Sequence, residues 1–350
     1  MTTLAEAKEF ATALLKKTLA EHGLSLKDGK VYDMVVAMKG FLERYDEPNT
    51  YRSYATDLVK YFLPYAYTLD KPLADLEEED IAPFWDYMGE LSRNSRVRAM
   101  KSIMAFLNLL RRREKKRQLS GKLVRYENPD AVLSFEQKIL LKLTREDINA
   151  VRDNMPTLEH ALAVELMAGS GMRPAEALGL RWGNLIWEKR DGVDFVKAEL
   201  KHRPGEYGAK GKYGERVVPL SPTAVSLVKR IMFENGIDNS YEETILEKNI
   251  IPYDHTWLYK EFKRTSKLVG VDKKLTEDER NNLRPHICRH LFAVEALKSG
   301  MDIATLKEMM KISMKTLETY IRLAGVAVAD EYFEKVWKPW VEKKKAVVAT

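Results

Sequence analysis

Apolar positions recur at intervals of three and four residues along most of the chain, so the pattern predicts a mainly helical protein. Asn49 and Thr50 are placed to cap a helix whose apolar face runs through Tyr54, Leu58 and Phe62. The same period returns at 76–88 and 97–110. Strand signals are lacking in this first third, which therefore reads as a small helical bundle. A basic run closes it: Arg111, Arg112, Arg113, Lys115, Lys116 and Arg117. Periodicity is then lost through Ser120, Gly121 and Pro129. The second part is mixed. Thr144 with Asp147 three residues later reads as a capped helix start, and 158–168 as a strongly apolar helix. Strands are expected at 193–201 and 216–220, joined by a Gly- and Lys-rich turn at 205–214. Helical spacing resumes at 223–233, 256–269, 286–298 and 303–310. Near the end Phe333, Val336, Trp337, Trp340 and Val341 keep helical spacing, interrupted by Pro339. The expected fold class is α+β, mainly α. It comprises a helical domain over 1–118, a linker over 119–140, a mixed domain with a small antiparallel sheet over 141–325, and a tail over 326–350.

Composition narrows the partner. The 350 residues suit two domains with sizeable cores. A net charge of +6 favours an anionic partner without choosing between nucleic acid and a membrane surface. The single cysteine, Cys288, excludes a disulfide framework and a cysteine zinc site, and suits a reducing compartment. The start of the chain carries Glu6, Lys8 and Glu9 and no apolar signal-peptide core. No apolar run approaches the ~20 residues of a membrane helix. A cytoplasmic protein without a membrane partner is expected. Gln118 and Gln137 are the only glutamines amid many Lys and Glu, a composition that leans towards a thermophilic source.

Four segments can carry chemistry. In Gly169-Ser170-Gly171-Met172-Arg173-Pro174-Ala175-Glu176, an apolar helix ends in glycines and Arg173 stands at the mouth of the next helix, where anions are favoured. In Arg284-Pro285-His286-Ile287-Cys288-Arg289-His290, His286 and Arg289 share a helix face. That face sets an always-charged fork beside a group that titrates near neutrality, which suits holding a phosphate while a proton moves. Gly208-Ala209-Lys210-Gly211-Lys212 places lysines on the turn between strands, where they can enter a DNA groove or protonate a leaving oxygen. Thr319-Tyr320-Ile321 offers a phenol, one of 16 in the chain, that can form a covalent phosphotyrosine. Taken singly, each has a plainer reading as surface or core.

Taken in order, Gly-x-Arg-x-x-Glu, a lysine between strands, His-x-x-Arg-His and a tyrosine thirty residues later resemble the tyrosine recombinase family, that of phage- or virus-type integrases with an Xer-like catalytic domain. The N-terminal helices resemble that family's core-binding domain. The resemblance implies a site-specific recombinase that cuts and rejoins duplex DNA, with strand exchange through a Holliday junction. Arg173 and Arg289 would clamp the scissile phosphate, and Glu176 would tie Arg173 in place. Lys210 would protonate the leaving 5′ oxygen, with Lys212 as its rival because the turn is one residue longer than the family's common form. His286 would handle the proton of Tyr320, the nucleophile that forms a 3′-phosphotyrosyl link. That link conserves bond energy, so neither metal nor other cofactor is required. Lys311 stands where the family usually has a ring of His or Trp. It can donate to the phosphate but cannot buttress the tyrosine. The implied partner is double-stranded DNA with specific attachment sites, gripped by a C-shaped clamp within a homotetramer, the free protein being a monomer or weak oligomer. The extended N-terminal region and tail favour integration of a mobile element, viral or plasmid, over resolution of chromosome dimers. Arg111, Arg112, Arg113, Lys115 and Lys116 would follow the DNA backbone or form a solvated helix face, and the tail aromatics would pack on their own core or on a neighbouring subunit. A type IB topoisomerase and a DNA-binding module without catalysis are the alternative functions.

Overall fold

The computed structural model describes residues 3–119, 134–203, 205–237 and 243–325, so the tail aromatics and 120–133 lie outside the described residues. The chain divides into two units, Met1–Pro129 and Asp130–Thr350.

The first unit is helical. Its elements are α1 (Leu4–Glu21), α2 (Gly29–Leu42), α3 (Pro48–Ala55), a π-helical turn (Thr56–Phe62), α4 (Leu63–Thr68), α5 (Glu78–Ile81), α6 (Phe84–Tyr87) and α7 (Arg93–Arg113). The third helix starts two to three residues earlier than its sequence suggests. Glu47 is its N-cap and Pro48 its first residue, a position where the missing N–H costs nothing. The expected helix over 76–88 is broken in two at Pro83. Phe41, Phe62, Phe84 and Phe106 are all buried, and Phe106 meets Phe41 and Phe62 edge-on at 5.5 and 6.4 Å. Asp57, fully buried within the π-helical turn, is paired with Arg98 at 2.9 Å and Ser102 at 2.7 Å.

The second unit begins with α8 (Phe135–Leu140), capped by Ser134. Its Ile139 and Leu140 join the core of this unit, while Leu119 is buried in the first. Next come α9 (Arg145–Asp153), with the expected Thr144–Asp147 capping box, α10 (Leu158–Ser170) and α11 (Pro174–Leu178). Ten of the residues of α10 are buried, so it is covered on every side and runs through the middle of the unit. Its buried carboxylate, Glu165, is not left alone: Arg145, Arg152 and Ser221 donate to it at 2.9, 2.8 and 2.6 Å. The sheet is antiparallel, in the order β1 (Leu185–Arg190), β2 (Val193–Leu200), β3 (Arg216–Pro219). Strand β1 adds to the two strands expected. It turns into β2 through Asp191-Gly192, whose φ angles of 50° and 79° suit a two-residue hairpin. The remaining helices are α12 (Pro222–Glu234), α13 (Glu243–Leu246), α14 (His255–Leu268), α15 (Glu277–Asn282), α16 (His286–Lys298), α17 (Ile303–Met310) and α18 (Met314–Ala324). Helices α16, α17 and α18 share a small cluster built on Val294, Leu297, Leu306, Leu317 and Tyr320. The mainly helical fold with a small antiparallel sheet is the class that the sequence predicts.

Candidate functional site

The site forms where α10, α11, β3, α16 and α17 meet. Helix α10 ends on Gly171 at φ +64°, and a Cβ there would lie 2.6 Å from the ring of Phe292, so both conformation and space demand glycine. Two residues on, Arg173 caps α11. The anion at the start of this short helix is a side chain, Glu176, whose Oε2 accepts from the Arg173 backbone N–H at 2.7 Å and whose Oε1 accepts from Arg173 Nη1 at 2.8 Å. Arg216, from β3, donates to both oxygens of Glu176 at 2.9 Å, and Arg289 lies 3.8 Å away. Burial pushes the Glu176 carboxyl up. The Arg216 hydrogen bonds and charge, followed by Arg173, outweigh it and hold the group below the usual range.

The three arginines also converge on the end of α17. Its last carbonyls have no partners within the helix and carry the negative end of its dipole. Met309 O accepts from Arg216 Nε at 2.5 Å, Met310 O from Arg289 Nη2 at 2.5 Å, and Lys311 O from Arg173 Nη2 at 2.8 Å. Arg289 also donates to the Gly171 carbonyl. Only 2% of the Arg289 side chain is exposed, against 26% of Arg173. Burial, reinforced by Arg173, lowers the Arg289 guanidinium to about 9, so it stays charged at neutral pH. Lys311 closes α17 in the left-handed region at φ 48°, unusual for a residue with a Cβ. Its ammonium binds Glu308 at 2.6 Å and lies 5.5 Å from the centre of the Tyr213 ring. What Lys311 offers the arginines is its carbonyl rather than its charge.

Tyr320 is 3% exposed on α18. Its Oη lies 2.5 Å from Nδ1 of His290 on α16. The rings of His290 and His286 meet edge to face, 4.6 Å between centres. Burial pushes the Tyr320 phenol up to about 12, although Arg289 and Arg173 pull the other way. Burial, then the charges of Arg289 and Arg173, lowers His286 to about 4. Burial, then His286 and Arg289, lowers His290 to about 3. Both imidazoles are therefore neutral at pH 7, a state in which one ring nitrogen can accept a proton. The arrangement offers a phenol, a neutral base on it and fixed cations beside it.

The structure thus brings Arg173, Glu176, Arg289, Tyr320, His286 and the Lys311 backbone together. Lys210 is exposed on the long segment between β2 and β3, and the side chain of Lys212 lies outside the described residues. That segment is a folded loop rather than a simple hairpin tip: Ala209 N donates to Lys201 O at 2.9 Å, and His202 Nδ1 pairs with Ala209 O at 3.0 Å. In the basic run, Arg112, Arg113 and Lys115 are exposed. Arg111 corrects the expectation of a DNA contact. It is 4% exposed, and its guanidinium donates to Arg117 O at 2.6 Å, Leu76 O at 2.8 Å and Glu77 at 3.1 Å. It ties the end of α7 to the segment before α5. Lys116 is likewise bound to Asp75 and to Glu114. Two residues of the site were not singled out from sequence. Arg216 carried no motif of its own. His290 had a signal, as the second histidine of His-x-x-Arg-His, four residues from His286 and so on the same side of a helix.

Residues 142–324 match the phage integrase family. The chain belongs to that family. The family is one of DNA strand-transferring enzymes, the tyrosine recombinases. Relatives include a tyrosine recombinase of Thermosipho africanus, 24% identical over 332 residues that span 88% of this chain and 99% of that protein. Tyrosine recombinase XerA of Pyrococcus horikoshii is 25% identical over 236 residues, 66% of this chain and 69% of that protein. Among solved structures, the XerH site-specific recombinase in a post-cleavage complex with palindromic difH substrate aligns with a TM-score of 0.57 at 18% identity, covering 96% of this chain and 97% of that one. The Tn1549 transposon integrase in complex with transposon right end DNA aligns at 0.53 and 16% identity, covering 93% and 99%. These likenesses establish that both units share the fold of integrase-family enzymes.

Proposed function

We propose that this site-specific recombinase cuts one DNA strand with the phenol of Tyr320, forming a 3′-phosphotyrosyl link and releasing a 5′-hydroxyl, and rejoins strands by the reverse step. The observation that carries the reading is Tyr320 Oη against a neutral imidazole at 2.5 Å, within reach of the charges of Arg289 and Arg173. Both guanidinium groups now donate to neutral carbonyls. A scissile phosphate is a charged acceptor, forms stronger hydrogen bonds, and would draw those donors from the α17 end to its non-bridging oxygens. Fixed donors of this kind stabilise charge that develops as the pentacoordinate transition state forms. Lys210 supplies the proton of the leaving 5′ oxygen from the β2–β3 loop, with Lys212 as the alternative donor. Arg112, Arg113 and Lys115 contact the DNA backbone. The partner is duplex DNA bearing attachment sites, bound by a homotetramer that exchanges strands through a Holliday junction. The extended N-terminal region and the tail favour integration of a mobile element, in the cytosol of its host. The experiment is covalent trapping: a nicked duplex carrying the cognate site, selected from a random pool by the parent protein, should give a protein–DNA adduct that survives denaturant.

A further inference from the structure

We propose that His290 is the group that takes the proton from Tyr320 during strand cleavage and returns it during ligation. This rests on Tyr320 as the nucleophile.

Geometry selects His290 from the candidate bases. Its ring nitrogen lies against the phenol oxygen, at 2.5 Å. His286 instead meets the ring of His290, 4.6 Å between centres, and so stands behind it. Lys311, in the place of the usual supporting ring, turns its ammonium to Glu308 and so leaves the phenol to α16. The ring that supports the nucleophile here therefore comes from the helix that also carries Arg289. Successive residues on a helix point about 100° apart. Arg289 accordingly reaches the carbonyls of Gly171 and Met310 while His290 faces α18, and one rigid element sets the phosphate clamp and the base together. The groups facing the imidazole are His286 and Arg289 from its own helix and Tyr320 from α18.

The step balances without a co-reactant beyond the general acid already named. As the Oη–P bond forms and the P–O5′ bond breaks, the phenol proton passes to Nδ1 of His290, and the 5′ oxygen takes a proton from the loop lysine. In ligation the 5′-hydroxyl attacks phosphorus and loses its proton to the lysine, and Tyr320 leaves and recovers its proton from His290. Burial makes an isolated phenolate costly, so removing the proton as the bond forms is the route that avoids it.

The test is single-turnover cleavage of the nicked duplex with H290F and H290N, at matched DNA occupancy. H290F keeps an aromatic ring and removes the acceptor. H290N keeps a hydrogen-bonding group near the Nδ1 position and cannot hold the proton. Both should cleave ~10²–10⁴-fold more slowly than the parent. A substrate with a 5′-thiol leaving group, which relieves the need for a general acid, should leave both slow. Cleavage by H290F at the parent's rate, cleavage by H290N at the parent's rate, or recovery of either on the 5′-thiol substrate would overturn the assignment. If H290F does not fold, H290N decides alone. Failure of the underlying reading shows separately, as an adduct formed equally by Y320F.

Discussion

Replacing Glu176 by glutamine should unfold the second unit at a markedly lower temperature, and the size of the effect follows from its bonds. The carboxylate is 1% exposed and accepts four hydrogen bonds of 2.7–2.9 Å from Arg173 and Arg216. An amide keeps one oxygen and turns an NH₂ towards the donors of the other. Either orientation orphans two donors and leaves three neighbouring guanidinium groups without an anion. Two charge-assisted hydrogen bonds at ~1.5–3 kcal/mol each give ~3–6 kcal/mol. Breaking a buried ion pair from one side gives a similar ~3–5 kcal/mol. At ~2–4 °C per kcal/mol for a unit of this size, the transition should fall by roughly 6–24 °C. Calorimetry of the parent and E176Q at pH 7 measures it. The folded carboxyl is held below its ordinary value of 4.5, so its stabilisation is complete above that value and is lost as pH falls through the lower folded value. The gap between parent and variant should therefore close below about pH 4.5. Equal transitions at pH 7, or a gap that ignores acid, would show that Glu176 does not anchor the three arginines.

His286 and His290 are depressed from 6.5 to about 4 and about 3, so the unfolded chain binds protons that the folded chain refuses. Stability is then complete above about 6.5 and is lost as pH falls from there towards 3, and replacing both by phenylalanine should flatten that loss in urea titrations. Parallel titrations of parent and variant would contradict it. Arg111→Ala should destabilise the first unit by on the order of 3 kcal/mol, because three backbone carbonyls lose their donor. Replacing Arg112 and Arg113 together should instead spare the melting temperature, weaken DNA binding, and reduce its salt dependence by ~0.9 for each phosphate no longer neutralised. Thermal melts and binding at several salt concentrations separate the two cases, and a reversed pattern would count against the account.

Much of the fold was legible because its signals are local. The boundaries of α16 and α17 follow directly from apolar spacing, and the Thr144–Asp147 box starts α9 as expected. Strand β1 was missed although Asp191-Gly192 is a strong hairpin signal, because its outer half, Glu188-Lys189-Arg190, lacks the apolar alternation of a half-buried strand. The π-helical turn leaves no mark on periodicity, since its buried Leu58 and Phe62 also fit an α-helix. The site was legible as motifs and illegible as side-chain pairings. Arg216 sits 40 residues from Glu176, and only the sheet carries it there. Arg111 looks like its basic neighbours in sequence, yet the turn before α5 covers it. Lys311 reads as a donor to the phosphate in place of the usual ring, but its left-handed backbone presents a carbonyl to Arg173.

The central claim is that Tyr320 becomes covalently joined to DNA. Incubating the protein with the nicked cognate duplex, denaturing, digesting with protease and mapping the modified peptide by mass spectrometry tests it most directly. One nucleotide-bearing peptide, attached through Tyr320, is expected from the parent and no adduct from Tyr320→Phe. An adduct on another of the tyrosines, or one that persists in Tyr320→Phe, would contradict it.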